Sequence, residues 1–189
     1  MDMFTGSLYN NMKWKNHTNL ENFPAFLHYM VNEEIKFVAD RMLGKLATYL
    51  LMVGFDTLYF REKEITLLLR IAREQNRIIL TRDTRLIKGI AVQRSIFVID
   101  DKPIDQVRQV LKEMDLHVNM DDCFCRCLRC NRRLRKTTAA EVAHKVPPYV
   151  LISHTEFSEC LHCNRVYWKG THHKRMETMI QTLADPRRP

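Results

Sequence analysis

The chain has 189 residues, 46% of them apolar, which excludes a disordered or fibrous chain and allows a packed core. No stretch reaches the roughly 18 uninterrupted apolar residues of a membrane span, so the reading is of a soluble, cytoplasmic protein with no membrane partner. The net charge of +8 is not spread evenly: residues 123–175 carry eleven basic and three acidic side chains, whereas residues 35–122 carry 15 and 13. An excess confined to one segment is the electrostatic footprint of a polyanion partner, with nucleic acid favoured over a merely solvated basic face.

Residues 1–34 are polar and Asn-rich apart from the patch Phe23 to Val31, and are read as an N-terminal arm or a short helix. From Ile35 short apolar runs alternate with amphipathic stretches, the pattern of β-α-β units and a parallel sheet. EIKFVA is the first strand, followed by a helix on Met42, Leu43, Leu46, Ala47, Leu50 and Leu51 that Gly54 ends. FDTLYF is the second strand, and Ile65, Leu68, Leu69 and Ala72 mark one face of the second helix. RIILT is the third strand, followed by the TRD turn and a short helix around Leu86 to Ile90. SIFVI is the fourth strand, and a last helix starts near Pro103, with Gln106 on its surface. This α/β domain spans residues 35–120.

Beyond Asp121 helical period gives way to Cys, Arg and aromatics. Residues 121–180 are read as a metal-organised unit with a closing helix over Thr171 to Ala184, and residues 181–189 as a tail. Thr138 to Lys145 suits a helical turn that Pro147 and Pro148 stop.

Four of the six cysteines form two Cys-x-x-Cys pairs, CLRCN and CLHCN, separated by 29 residues. Each pair offers two sulfurs on one edge of a tetrahedron, so Cys127, Cys130, Cys160 and Cys163 are expected to close around one structural Zn²⁺. Asn131 and Asn164 follow the pairs and tolerate the left-handed backbone of a tight knuckle. Cys123, Cys125 and His162 are alternative ligands, and a redox dithiol is the competing chemistry, disfavoured because neither pair opens a helix after a strand.

A four-sulfur site has no open position, so chemistry belongs elsewhere. Asp40 follows the first strand, Asp83 the third, and Asp100 and Asp101 the fourth, all at the carboxyl edge of the sheet. Converging carboxylates call for a hard dication, Mg²⁺ or Mn²⁺, of the kind that supports phosphodiester hydrolysis. Singly, Asp40 also suits a helix N-cap and Asp83 a turn. Thr81 and Arg82 can meet a phosphate or the first turn of a helix, or Arg82 can pair with a nearby acid. Glu62 and Glu64 are a further possible ligand or simple helix-dipole partners, and Asp56 lies at the opposite edge.

FVADRMLGKLATYLLMVGFDTLYF, RIILTRD, CRCLRCNRRL and CLHCNRVYWKGTHHKRM together closely resemble the Mut-seven C-terminal ribonuclease domain family over about residues 35–180. The resemblance implies a PIN-like α/β sandwich with a C-terminal four-cysteine zinc ribbon and metal-dependent RNA cleavage. By position it matches Asp40 and Asp83 to the family acids, Asp100 or Asp101 more weakly, and the four cysteines to the ribbon ligands. Relatives often have aspartates where this chain has Glu62, Lys63 and Glu64. Arg82, Arg132, Arg133, Lys169, Lys174 and Arg175 are the expected RNA contacts, with Tyr167 or Trp168 packing the ribbon. The alternative is a non-catalytic RNA-binding or scaffold module on a nuclease fold.

Overall fold

A computed structural model describes residues 35–89 and 94–184, save the side chains of residues 88, 89, 171 and 172. The expected N-terminal arm, the end of the short helix at Ile90 and residues 185–189 of the tail lie outside the described residues. The β-branched and aromatic runs form four parallel strands, β1 (Lys36–Ala39), β2 (Asp56–Tyr59), β3 (Ile78–Thr81) and β4 (Ser95–Phe97), in the order β2-β1-β3-β4. The connecting helices are α1 (Gly44–Met52), α2 (Ile65–Glu74) and α3 (Thr84–Gly89), and α4 (Pro103–Glu113) follows β4.

Strand alternation divides the core between two faces. Phe37, Ala39, Ile78 and Leu80 pack with Leu46, Leu50, Val107 and Val110, while Val38 and Ile79 pack with Leu68, Ala72 and Leu86. Both faces of the parallel sheet are therefore covered, which is why its strands read as continuous apolar runs. Gly54, at φ 97°, ends α1: its N–H donates to Leu51 O and that of Phe55 to Leu50 O, the paired bonds of a Schellman motif.

The C-terminal part is an antiparallel sheet of β5 (Arg135–Thr137), β6 (Phe157–Glu159) and β7 (Val166–Trp168). Two short helices, α5 (Ala139–Val142) and α6 (Pro148–Ser153), lie between β5 and β6, and α7 (Thr171–Ala184) closes the described chain. Thr138 and Glu141 form a capping box on α5. Pro147 and Pro148 do not merely stop a helix: Pro147 is the N-cap of α6 and Pro148 its first residue, where a missing N–H costs no hydrogen bond. Gln106 does not lie on the helix surface. It is buried, because its amide donates to Asp100 O (2.9 Å) in the loop over which α4 begins.

Asp56, at the amino end of β2, holds the ribbon to the sheet. It accepts from Arg77 and from Asn131 Nδ2 (2.6 Å) and lies 3.7 Å from Arg126, whose side chain is 5% exposed. Arg126 Nε also donates to Gly54 O (2.8 Å), and Asn131 Oδ1 accepts from Thr57 N–H (3.3 Å). Burial raises the Asp56 pKa, but the hydrogen bonds from Arg77 and Asn131 and the charges of Arg77 and Arg126 outweigh it and hold it below the ordinary value.

Asp56→Ala takes the counter-charge from two buried guanidinium groups and is expected to cost about 3–5 kcal/mol at neutral pH, measured by urea denaturation. The folded pKa lies below the unfolded value near ~3.9, so this contribution is complete above that value and fades as pH falls through the folded one. The gap between wild type and variant should narrow below about pH 4.

Candidate functional site

The strand order reverses about β1 and β3, so their carboxyl ends flank the crevice where parallel α/β sheets bind ligands. Asp40 leaves β1 there and is buried, 7% exposed. It is not the N-cap of α1, which starts at Gly44 after Leu43. Instead Oδ1 accepts from Met42 N–H (2.8 Å) in a local turn, and Oδ2 accepts from the Thr81 hydroxyl and from Arg82 N–H (3.3 Å).

Thr81 ends β3 fully buried, and its oxygen accepts from Asp83 N–H (2.9 Å). One hydroxyl thus ties the Asp40 carboxylate to the Asp83 backbone. Asp83 Oδ1 accepts from Arg85 N–H (2.9 Å) as a helix cap does, and Arg85 Nε (3.1 Å) and Nη2 (2.9 Å) cover both carboxylate oxygens. The Arg85 hydrogen bonds hold the Asp83 pKa down at about 2.

Asp40 and Asp83 line one open pocket with Glu62, Glu64, Arg41, Lys63 and Arg85, floored by Phe60, Leu68 and Leu86. Asp100 and Asp101 do not line it. Asp101, with its side chain 89% exposed, accepts from Arg82 Nη2 (2.7 Å), and that guanidinium also donates to Ile99 O (3.3 Å). The strand ends at Phe97, which leaves both acids on the exposed loop that follows it.

The donors at the pocket are carboxylate oxygens, the hard set that suits Mg²⁺ or Mn²⁺, and Mg²⁺ commonly takes one or two carboxylates and fills its shell with water and phosphate. Asp40 and Asp83 fit that pattern. Among the described residues no three carboxylates bring ligand oxygens within 4.8 Å of one another.

The four cysteines do converge: their sulfurs all lie within 4.8 Å, with 3.6 Å between Cys127 and Cys163 and 3.3 Å between Cys130 and Cys160. A tetrahedron with ~2.3 Å zinc–sulfur bonds has edges of about 3.8 Å, so the cluster is consistent with a zinc ribbon. All six cysteines are free thiols, and Cys123, Cys125, His162 and His173 stand outside the cluster. The two knuckles repeat one hydrogen-bond scheme, with Asn131 N–H to Cys127 O (2.9 Å) and Asn164 N–H to Cys160 O (2.8 Å). Both Asn residues are left-handed, at φ 63° and 57°.

Tyr167 is a supporting residue of this centre: its oxygen accepts from Leu128 N–H and lies 3.1 Å from Cys127 Sγ. Burial and that sulfur raise the phenol's pKa, so it stays protonated as a donor to the cysteine. Trp168 is more open, at 37% exposed.

Of the expected RNA contacts, Arg132, Arg133, Lys174 and Arg175 are exposed, Lys169 pairs with Glu156 (2.7 Å), and Arg82 is engaged by Asp101. Sequence reasoning missed the tether between Asn131 and Asp56 and the clasp of Arg85 on Asp83. The second had a signal in Asp83-Thr84-Arg85, an acid two residues before an Arg at a helix start.

Among the described residues no helix is long and apolar enough to cross a membrane. The family model described as Mut7-C RNAse domain matches residues 35–180, and the chain belongs to that family. No curated protein and no solved structure matches the chain.

Proposed function

We propose that this member of the Mut7-C RNAse domain family is a ribonuclease that hydrolyses RNA phosphodiesters with Mg²⁺ or Mn²⁺ at the Asp40–Asp83 edge. The observation that carries the reading is the Thr81 hydroxyl, which ties Asp40 to Asp83 at the crevice between β1 and β3. Asp40 and Asp83 would hold the ion, and Glu62 or Glu64 on the same pocket is a better-placed third acid than Asp100 or Asp101. A bound divalent ion would supply an activated water and offset charge on the phosphate. Asp40 is oriented for that role by Thr81, Met42 and Arg82, while Arg41, Lys63 and Arg85 give the pocket cationic groups for the RNA backbone.

In this reading the cysteine centre holds a structural zinc, and its basic ribbon guides RNA to the sheet edge through Arg132, Arg133, Lys169, Lys174 and Arg175. Free thiols suit the reducing, cytoplasmic setting proposed with it. Incubating the purified protein with structured RNA should give cleavage on adding Mg²⁺ or Mn²⁺ and none without; RNA left intact under both conditions overturns the nuclease.

The lack of a three-acid cluster among the described residues and the Arg85 clasp on Asp83 favour one other reading, an RNA-binding module without catalysis. Under either, charge reversal at Arg132 and Arg133 should weaken RNA binding. It should also flatten the salt slope, read between 50 and 200 mM salt, by about 0.7 for each single-strand phosphate that the protein no longer neutralises. An unchanged slope would place RNA elsewhere on the chain.

A further inference from the structure

The Asp83 carboxylate is already occupied. Arg85 Nε and Nη2 bind its two oxygens at 3.1 and 2.9 Å in the planar fork that matches a carboxylate. The Arg85 side chain is 83% exposed and bends back over its own helix start to make this pair, so packing does not hold it there. A guanidinium and a divalent cation compete for the same oxygens, and the fork that fits a carboxylate also fits a phosphate.

We propose that Arg85 is a resident counter-cation of the acidic pocket, which screens Asp83 in the free protein and transfers to an RNA phosphate when the divalent ion takes Asp83. The inference rests on the nuclease reading of the pocket and adds a coupling to it: the ion and the phosphodiester bind together more strongly than either binds alone. The exchange needs no movement of the sheet. Asp83 keeps its backbone anchor on Thr81, and the α3 start keeps its cap through Arg85 N–H.

The test is a Mn²⁺ titration of the zinc-loaded full chain, followed by the electron paramagnetic resonance signal of free Mn²⁺, with and without an uncleavable phosphorothioate oligonucleotide. Arg85→Ala should bind Mn²⁺ about 3–10-fold more tightly than wild type, the range expected on losing an exposed bidentate pair. Arg85→Lys, a point charge without the fork, should fall between them. The oligonucleotide should tighten Mn²⁺ binding in wild type and leave Arg85→Ala unchanged.

Equal or weaker Mn²⁺ binding by Arg85→Ala overturns the inference, and so does an equal response of both proteins to the oligonucleotide. The outcomes separate it from the nuclease reading. RNA cleavage with unaltered Mn²⁺ affinity in Arg85→Ala sinks the coupling alone. Tighter Mn²⁺ binding in a protein that leaves RNA intact sustains the counter-cation and sinks the nuclease.

Discussion

Cys160→Ser should release the metal and unfold the ribbon while β1 and β3 keep their packing. Cys160 is fully buried and supplies one of the four converging sulfurs, with Cys127, Cys130 and Cys163 the others. Structural zinc in small domains contributes on the order of 10–16 kcal/mol of apparent binding energy, far more than the small apolar cluster of Val142, Val146, Val150 and Phe157 supplies on its own. Elemental analysis should fall from one zinc per chain to substoichiometric. Hydrogen exchange should lose protection over residues 124–168, and the Asn131 and Arg126 contacts to Asp56 and Gly54 should go with it. A variant that folds normally and keeps its zinc would put Cys123, Cys125 or a histidine in the shell.

Asp83→Asn should lower the RNA cleavage rate more than about 100-fold at fixed Mn²⁺. The substitution keeps the side-chain shape and removes one of the two anionic groups on the pocket that Thr81 links. Losing a residue that only orients a ligand typically costs about 10–100-fold, and losing the ligand itself should cost more. Thr81→Val sets that comparison. It preserves buried volume at a fully buried position but removes the hydroxyl that serves Asp40 and Asp83, so its loss should stay within that range. A Thr81→Val defect larger than that of Asp83→Asn would mean that Asp83 does not touch the reacting groups.

The sheet was legible because its strands are buried on both faces and its helices on one, which leaves two distinct apolar periods in the sequence. The cysteine cluster was legible because Cys-x-x-Cys is a local geometry, and the left-handed Asn after each pair is local too. The bond from Asn131 to Asp56 was not, since 75 residues separate the partners and neither has a periodic signature. Gln106 failed for a related reason: its burial comes from satisfying a loop carbonyl, which an apolar count does not register. Pro147 and Pro148 were read by what proline forbids inside a helix rather than what it permits at the start of the next. Apolar runs overshoot the strand ends by one or two residues, little for packing but enough to leave Asp100 and Asp101 on the loop after β4, off the pocket that Asp40 and Asp83 line.

The central claim, RNA hydrolysis at the Asp40–Asp83 edge, is tested most directly by single-turnover cleavage of one end-labelled RNA. Wild type, Asp40→Asn and Asp83→Asn are compared in Mn²⁺ at protein concentrations where each binds the RNA to the same extent. The expected result is that all three bind and only wild type cleaves. Equal cleavage by either Asn variant, or none by wild type, would contradict it.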